Sequence, residues 1–208
     1  MITDLDNSIK KLLTTELSIK NGEIDIQFAQ PTREWRARLN KPTINFFLFD
    51  IRENVTLRQH QWEQLARNSD GTPTTTQLKR TPFRLDCHYL LTSWVPQGRA
   101  DDEHRLLSLL LLTLFRHPTL PPEFFQGQMV QQPFAVPCRV ASHDILTNPT
   151  EIWTVLDNEL RPCISLLVTI ALDPWSSHDE ELVRYFTLNL GVTMDGRSHN
   201  LNTTANKP

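Results

Sequence analysis

Residues 83–115 read FRLDCHYLLTSWVPQGRADDEHRLLSLLLLTLF and contain two elements on which the fold depends. In the first part, apolar and polar residues alternate from Phe83 to Leu91, which predicts a long strand that runs to about Trp94. The second part opens on an acidic turn and is then apolar nearly all round, which predicts a fully buried helix over 101–115. A long strand followed by a buried helix indicates the α/β class.

Further strands are predicted on both sides of this pair. The run 44–51 is apolar on both faces over its middle, so we expect it to form the middle strand of the sheet. The run 164–172 predicts another strand that is buried on both faces, and shorter strands are predicted at 24–28 and 136–140. The pattern therefore favours a mixed sheet flanked by helices.

The segments between these strands predict helices and one long loop. From Ile2 to Leu17, apolar residues recur at spacings of three and four, which predicts a helix that lies on the sheet and ends near Asn21-Gly22. The sequence Asn148-Pro149-Thr150-Glu151 has a cap residue, a proline at the first helical position and a capping glutamate, so it predicts a second helix start. Residues 57–81 are polar and predict a long exposed loop.

The C-terminal part of the chain has a different character. After Pro174 and an acidic stretch, residues 181–192 alternate and have one strongly apolar face, which predicts a strand that is loosely tied to the preceding domain. Such a strand either pairs as an arm with a neighbouring chain or completes its own sheet, and we favour the arm. We therefore expect one domain over 1–176, followed by an arm and a fraying polar tail over 177–208.

The composition excludes several classes of function. Apolar residues make up 39% and charged residues 22%, so the chain is expected to fold as a globular domain. A formal net charge of −3 with scattered basic residues gives no reason to expect nucleic-acid binding. The N-terminal segment lacks the apolar core of a secretory signal, and the longest apolar run, 106–115, is far shorter than the ~20 residues of a membrane span. We expect assembly in the cytoplasm and no direct membrane insertion.

The sequence also lacks the motifs of the common catalytic, cofactor and metal sites. The histidines show no i, i+4 pair and no HExxH, and the six glycines form no phosphate-binding loop. Cys87, Cys138 and Cys163 are odd in number and widely spaced, which predicts reduced, buried thiols. We therefore assign no catalytic, cofactor-binding or metal-binding residue, and we expect that the protein is not an enzyme.

One group of charged side chains allows two interpretations. Arg84, Asp86 and His88 share a face of the predicted strand, where they would form either an acid–base cluster or a surface that meets solvent or a partner. The absence of a recognisable nucleophile motif favours the surface.

A short basic and aromatic stretch is the best candidate for a protein contact. The run from Arg33 to Arg38 contains Trp35 and would suit stacking on single-stranded nucleic acid or an interface with another protein. Because acidic residues are abundant elsewhere, we favour the protein interface, with a core position for Trp35 as the alternative.

Several ordered motifs carry a resemblance to a known family. The chain resembles the cap, or terminator, domain of extracellular contractile injection systems of the antifeeding-prophage type. The resemblance spans roughly residues 1–176 and rests on these motifs: Pro31-Thr32-Arg33-Glu34-Trp35, Pro42-Thr43-Ile44-Asn45, Asp50-Ile51-Arg52-Glu53-Asn54, Arg84-Leu85-Asp86, Glu103-His104-Arg105-Leu106-Leu107, Leu120-Pro121-Pro122, Asp157-Asn158-Glu159-Leu160-Arg161-Pro162 and Asp173-Pro174-Trp175.

The resemblance implies an α/β fold similar to phage tail terminators and a structural role without catalysis. It implies a homo-oligomer, expected as a hexameric ring, that sits on the last layer of the inner tube protein and contacts the last layer of the sheath protein. The particle is then either released or anchored to a membrane. The alternatives are an assembly adaptor or chaperone for tail components and, more distantly, a small-molecule enzyme.

The resemblance does not assign contact residues, so we predict them from the sequence. For the arm over 181–192, the sheath is the expected partner. We expect contacts with the tube, the sheath or a neighbouring subunit at Arg33, Trp35, Arg38, Arg52, Glu53, Arg184, Tyr185, Phe186 and Leu188.

Overall fold

The fold is described from a computed structural model of the 208-residue chain. It describes residues 1–17, 23–58, 62–66, 75–96, 100–142, 152–154, 156, 160–175, 178–181, 185–194 and 197–206. The chain divides into two units, the first formed by Met1–Arg58 and Pro82–Asp173, and the second by Gln59–Thr81 and Pro174–Pro208.

The structure gives bounds for three helices, three 3-10 turns and eleven strands, and the described residues 152–154 are also helical. The helices are α1 (Ile2–Glu16), α2 (Arg33–Ala37) and α3 (Ala100–Arg116), and the 3-10 turns are Val55–Leu57, Pro122–Phe124 and Gly127–Gln131. The strands are β1 (Asp25–Gln27), β2 (Thr43–Glu53), β3 (Trp62–Ala66), β4 (Thr75–Arg80), β5 (Phe83–Trp94), β6 (Thr119–Leu120), β7 (Val136–Val140), β8 (Cys163–Leu172), β9 (His178–Glu181), β10 (Tyr185–Met194) and β11 (Arg197–Asn206).

The first unit is built on a mixed six-stranded sheet of order β1-β2-β5-β8-β7-β6. The β1–β2 pair is parallel, and the other pairs in this sheet are antiparallel. The predicted mixed sheet is therefore confirmed. Its middle, however, is formed by β5 and β8, so the prediction that 44–51 would be the middle strand is wrong. Because burial on both faces reports the layers above and below a strand, it does not reveal how many strands lie beside it.

Helices α1 and α3 cover one face of this sheet. Leu5 and Leu13 of α1 and Leu110 of α3 are fully buried against Cys87 and Tyr89 of β5 in the main hydrophobic cluster. The strand alternation of β5 places Leu90 on the opposite face, in a second cluster. Each face of the central strands is thus covered, which explains why these strands are apolar on both sides.

The prediction that the helix over 101–115 is buried on every side is wrong. Leu106, Leu110 and related residues face the sheet, but Leu112 is 58% exposed and Phe115 is 61% exposed. A helix that lies on one face of a sheet buries only the side that meets the sheet. The outer face of α3 therefore presents large apolar side chains to solvent in the isolated chain.

The second unit contains strands where the sequence predicted irregular structure. Strands β3, β4 and β9 form a three-stranded antiparallel sheet, and β10 pairs with β11 in an antiparallel hairpin. The predictions of a loop over 57–81 and of a fraying tail after residue 193 are wrong at β3, β4 and β11. Strands β4 and β11 are mostly polar and contain two threonines each, so they lack the alternation that would reveal them, and β3 is only five residues long.

Two helix predictions are tested only in part. Helix α1 ends at Glu16, before the predicted end near Asn21-Gly22, and residues 18–22 lie outside the described part. The predicted start at Asn148–Glu151 also lies outside it, whereas 152–154 are helical.

Candidate assembly surface

The short helix α2 packs its tryptophan against the sheet. The Thr32 side chain caps α2 by accepting a hydrogen bond from the Trp35 backbone N–H at 3.2 Å. The Trp35 indole N–H donates to Gln27 Oε1 at 2.7 Å, and its ring meets the Trp94 ring edge-on, with centroids 5.4 Å apart. Trp35 is thus half-buried and tied to β1 and to the end of β5.

Trp94 belongs to a group of apolar residues that we call the tryptophan cluster. Its buried members are Leu90, Trp94, Trp153 and Leu156, and Trp35, Leu39, Phe47, Phe49, Ile152 and Cys163 pack against it. Trp94 is 3% exposed, and its indole N–H donates to Thr92 Oγ1 at 2.8 Å. Helix α2 therefore packs, through Trp35, against a cluster of buried aromatic rings.

Next to this cluster lies a concave site of about 350 Å³, which we call the Trp94 cleft. Its polar and aromatic lining consists of Arg33, Arg36, Trp94, Glu103 and Arg161. Arg161 pairs with Glu103 at 2.8 Å, and both side chains are 18% exposed. The guanidinium carbons of Arg161 and Arg36 lie 4.3 Å and 5.8 Å from the centroid of the Trp94 ring.

The residues predicted to contact a partner fall into three groups. Arg33, Trp35 and Arg38 are brought together by α2, where both arginines are exposed. Arg52 and Glu53 lie at the far end of β2, about 30 Å from Thr43 at a strand rise of about 3.3 Å per residue. The structure therefore does not bring the first and second groups into one site.

Arg52 and Glu53 each have an acidic or basic neighbour. Arg52 is 74% exposed and pairs with Asp50, and Glu53 pairs with Arg58 at 3.3 Å. Surface pairs of this kind contribute about 0–1 kcal/mol to stability. The Arg52 side chain is accessible for other contacts, whereas the Glu53 Oε1 atom is buried.

The third group lies in the second unit. Tyr185, Phe186 and Leu188 are on β10, whereas Arg184 lies outside the described residues. Phe186 and Leu188 pair with Ala205 and Thr203 of β11.

The charged residues of β5 are held by structural contacts. Asp86 accepts hydrogen bonds from Thr169 Oγ1 at 2.6 Å and from Asn54 Nδ2 at 3.1 Å. The Arg84 guanidinium lies 4.6 Å from the Phe134 ring centroid, and His88 stacks obliquely on Phe49. Among the described contacts, no hydrogen bond joins Arg84, Asp86 and His88 to one another, although burial lowers the pKa of Arg84 and the Asp86 charge raises it against that effect.

The thiols are free and have little thiolate character. Burial raises the pKa of Cys87 to about 12 and the pKa of Cys138 to about 12, and it also raises the pKa of Cys163. Because the thiolate is the reactive form, these thiols are poor nucleophiles at neutral pH. Within the described ranges, no three metal-binding side chains converge, and no helix is long and apolar enough to cross a membrane.

The family model of the Pvc16 N-terminal domain matches residues 4–183, which include α2, α3, strands β1 to β9 and all of α1 except its first two residues. This chain belongs to the Pvc16 N-terminal domain family. The resemblance found from the motifs is thereby confirmed. The match ends before the hairpin formed by β10 and β11.

Two solved structures are similar to this family member. One is a PVC sheath/tube terminator in its extended state, from an extracellular contractile injection system, with a TM-score of 0.63, 19% identity, and coverage of 90% of this chain and 64% of that chain. The other is the anti-feeding prophage cap, a tube-terminating cap, with a TM-score of 0.62, 22% identity, and coverage of 92% of this chain and 62% of that chain. The expected α/β fold similar to terminators is confirmed.

Both solved structures contain chains longer than the part that this protein matches. The chain spans less than two thirds of the length of either solved structure. The search of curated proteins gave no match.

The residues that line the Trp94 cleft were largely missed by the sequence analysis. Trp94 was read only as the end of a strand, and Arg36, Glu103 and Arg161 belong to three separate chain segments. The motif that contains Arg33 and Trp35 was a usable signal for α2. The Glu103–Arg161 pair joins residues 58 positions apart, and no local pattern reveals such a contact.

Proposed function

We propose that this protein terminates the inner tube and the sheath of a contractile injection particle as a structural cap. The observation that carries the proposal is membership of the Pvc16 N-terminal domain family, together with a fold likeness to two terminators over 90% and 92% of this chain. The role is structural and non-catalytic. Assembly takes place in the cytoplasm, and the cap becomes a component of the particle.

The partners proposed for this role are the tube protein, the sheath protein and further copies of the chain in a hexameric ring. The described surface supports such contacts, because Val55, Leu112, Phe115, Val130 and Leu160 are each between 58% and 70% exposed. Large apolar side chains exposed on one subunit are commonly covered in an assembly. Arg33, Trp35 and Arg38 on α2 are proposed as one contact, and Arg52 and Glu53 at the end of β2 as another.

The C-terminal part is proposed to act separately from the body formed by residues 1–176. Residues 177–208 form an arm that reaches the terminal sheath layer, with Arg184, Tyr185, Phe186 and Leu188 as its contacts. Among the described strands, β10 and β11 pair only with each other, and we propose that the other edge of one of them pairs with another chain.

A deletion strain tests the capping role. Particles made without this protein are expected to have abnormal tube and sheath lengths or open, unstable ends, and wild-type protein supplied in trans should restore them. Particles of normal length and stability from the deletion strain would refute the proposal. Imaging of the labelled protein separates a cap, which stays at one end of the mature particle, from an assembly adaptor or chaperone, which leaves.

A further inference from the structure

We propose that two copies of this chain pair in solution through the edge of β2 that faces away from β5, with Ile51 of each copy opposite Ile51 of the other. This contact goes beyond the capping role, because it concerns the chain before it joins a particle. It keeps an open strand edge paired until assembly, which matters because a long unpaired edge also recruits unrelated chains.

The outer edge of β2 is covered over only part of the strand. β5 pairs with β2 from Thr43 to Glu53, with a shift in register between Leu48 and Asp50. On the other side, β1 pairs with β2 only at residues 43–45. Among the described strands, none pairs with this outer edge between residues 46 and 53. This stretch can therefore accept a further strand.

The backbone groups of Ile51 and Glu53 point toward the outer edge. The Asn54 backbone N–H donates to the Arg84 carbonyl oxygen at 2.8 Å, so Asn54 directs its backbone groups at β5. Because this direction alternates along a strand, the N–H and C=O groups of Ile51 and Glu53 point away from β5. In an antiparallel pair centred on Ile51, each Ile51 N–H then donates to the Ile51 carbonyl oxygen of the other copy.

The charges beside Ile51 make this stretch complementary to a second copy of itself. Asp50 and Arg52 flank Ile51 and pair with each other within the chain. In the pairing centred on Ile51, Asp50 of each copy lies opposite Arg52 of the other copy. A guanidinium has five N–H donors, so Arg52 can bind the carboxylates of both copies. Opposite charges that face each other across two strands stabilise the pair, so the charge order favours a second copy as the occupant.

Exposed apolar side chains lie next to the same edge. Ile51 is 42% exposed, and Val55 and Leu57, in the 3-10 turn after β2, are 70% and 44% exposed. The pairing centred on Ile51 places the two Ile51 side chains side by side on one face of the joined sheet. It thereby removes apolar area from water, in addition to forming the backbone hydrogen bonds.

A bulge at Phe49 limits the length of the contact. The register between β2 and β5 shifts between Leu48 and Asp50, which is the mark of a bulge. A bulge twists the strand and interrupts regular pairing, so the contact is confined to the part of β2 that follows Phe49. Because so short a contact buries little area, the expected dissociation constant of the dimer is about 1–100 μM.

The pair has two-fold symmetry and is therefore distinct from a head-to-tail ring. Neighbours in such a ring present different surfaces to each other, whereas β2 here meets β2. The pair accordingly belongs to the free chain, and its test needs only the purified protein.

The first experiment measures the mass of the purified full chain by analytical ultracentrifugation over a dilution series. We expect wild type to change from monomer to dimer within about 1–100 μM. Asp50→Arg and Arg52→Asp each place like charges opposite each other, so each variant alone should dimerise about tenfold more weakly or less. Arg105→Asp, an exposed charge reversal on α3, is the matched control and should stay within about twofold of wild type.

A mixture of the two charge variants tests whether these residues face each other. In an equimolar mixture of Asp50→Arg and Arg52→Asp, every facing pair of a mixed dimer has opposite signs. We expect this mixture to dimerise within about threefold of the wild-type affinity. Recovery in the mixture also shows that both variants are folded, because a misfolded chain would not regain the contact.

A cysteine cross-link locates the centre of the contact. Ile51→Cys is expected to form a disulfide-linked dimer in oxidising buffer, because the Cα atoms of such a facing pair lie about 5.5 Å apart, within the range of a disulfide. Val55→Cys is the control: the side chain at position 55 is more exposed, but its two copies lie about 25 Å apart along the paired strands at a rise of about 3.3 Å per residue. This control should remain monomeric.

Four results would overturn the inference. Wild type that remains monomeric up to about 200 μM would mean that the β2 edge does not recruit a second copy. Self-association that neither Asp50→Arg nor Arg52→Asp weakens would place the contact elsewhere. A mixture of these two variants that stays monomeric would mean that positions 50 and 52 do not face each other. Equal cross-linking of Ile51→Cys and Val55→Cys would mean that the pairing is not centred on Ile51.

Discussion

Asp6 of α1 illustrates how single residues tie this fold together. Its carboxylate accepts a hydrogen bond of 2.7 Å from the Tyr89 hydroxyl on β5 and thereby links α1 to the sheet. Burial raises the pKa of Asp6, and the hydrogen bond from Tyr89 opposes part of that rise. Burial and the nearby Asp6 charge raise the pKa of Tyr89, so its hydroxyl remains a donor at neutral pH. The contact orients α1 at the cost of a half-buried charge.

The unfavourable burial of the Asp6 charge predicts how Asp6→Asn changes the stability of the protein. The folded state raises the pKa of Asp6 above the reference value of 3.8. Between pH 3.8 and the folded-state pKa, Asp6 ionises more readily in the unfolded chain, so the free energy of unfolding falls as the pH rises through this interval. The asparagine amide oxygen can still accept from Tyr89 but carries no charge. We expect Asp6→Asn to unfold at equal or higher urea than wild type at pH 7, with the difference shrinking near pH 3.

The opposite trend would contradict that explanation. If wild type were the more stable protein at pH 7, and its advantage disappeared at pH 3, the Asp6 charge would be stabilising. Tyr89→Phe is the matched control, because it removes the hydroxyl donor and leaves the ring. In that background the effect of Asp6→Asn should grow, since no hydrogen bond then favours the charged form.

At the scale of elements, local pattern predicted the strands that belong to a covered sheet. The strand from Phe83 to Trp94 was predicted at the bounds that the structure has, and β7 and β8 were predicted within one residue. Alternation or continuous burial marks such strands because helices or tryptophans cover their faces. Strands β4 and β11 were missed, since a strand that is paired through its backbone but mostly polar has no such mark, and β3 was missed because it spans only five residues.

The candidate site was predictable only in part, for a related reason. The stretch 33–38 was predicted as a protein contact, but no helix was predicted there, although Thr32 could have been recognised as the cap of α2. The cleft beside it depends on tertiary contacts of Trp94 with Arg161, which the order of residues does not encode locally. Sequence patterns thus report the layers of the fold better than they report the places where distant segments meet.

The one-sided burial of α3 predicts different effects for two neighbouring leucines. Leu110 is 0% exposed in the main cluster, and Leu112 is 58% exposed on the outer face. Leu110→Ala is expected to lower the free energy of unfolding by about 2–5 kcal/mol, because it leaves a cavity under α3. Leu112→Lys is expected to change it by no more than about 0.5 kcal/mol. Urea titrations of both variants at low protein concentration provide the measurement.

Similar losses at both positions would contradict this description of α3. A dilution series would then show whether the outer face is covered by self-association, because the loss at Leu112 would disappear as the protein is diluted.

The C-terminal hairpin predicts the result of a truncation after Glu180. This truncation removes β10 and β11 but keeps the pairs that join β9 to β4 at residues 178–180. We expect the shortened chain to stay folded and soluble, with a cooperative urea-unfolding transition, yet no longer to hold the terminal sheath layer. A misfolded product would assign the hairpin to the fold of the chain and refute the arm. Truncation after Met194 is the control, because it removes β11 and leaves β10 without its partner strand.

At the scale of the whole molecule, the chain combines a well-packed body with an outer surface that is unusually apolar in places. The large apolar side chains on α3 lie on a face that the rest of the first unit does not cover. A chain with a net charge of −3 has little electrostatic repulsion to keep copies apart. Both features suit a subunit whose stable state is an assembly.

This view of the molecule predicts a fixed number of copies per particle. A cap that contacts every subunit of the last tube layer must repeat with the symmetry of that layer, and identical copies arranged head to tail close into a ring only at one number. If the ring is the hexamer proposed above, six copies are expected at the capped end, whatever the length of the particle. Photobleaching steps of a fluorescently tagged chain, counted on particles sorted by length, measure this number, with tagged tube protein as the control that increases with length. A closed ring has a fixed number of copies, whereas a protein that repeats along the tube increases in number with particle length. A copy number that rises with particle length would therefore contradict the cap.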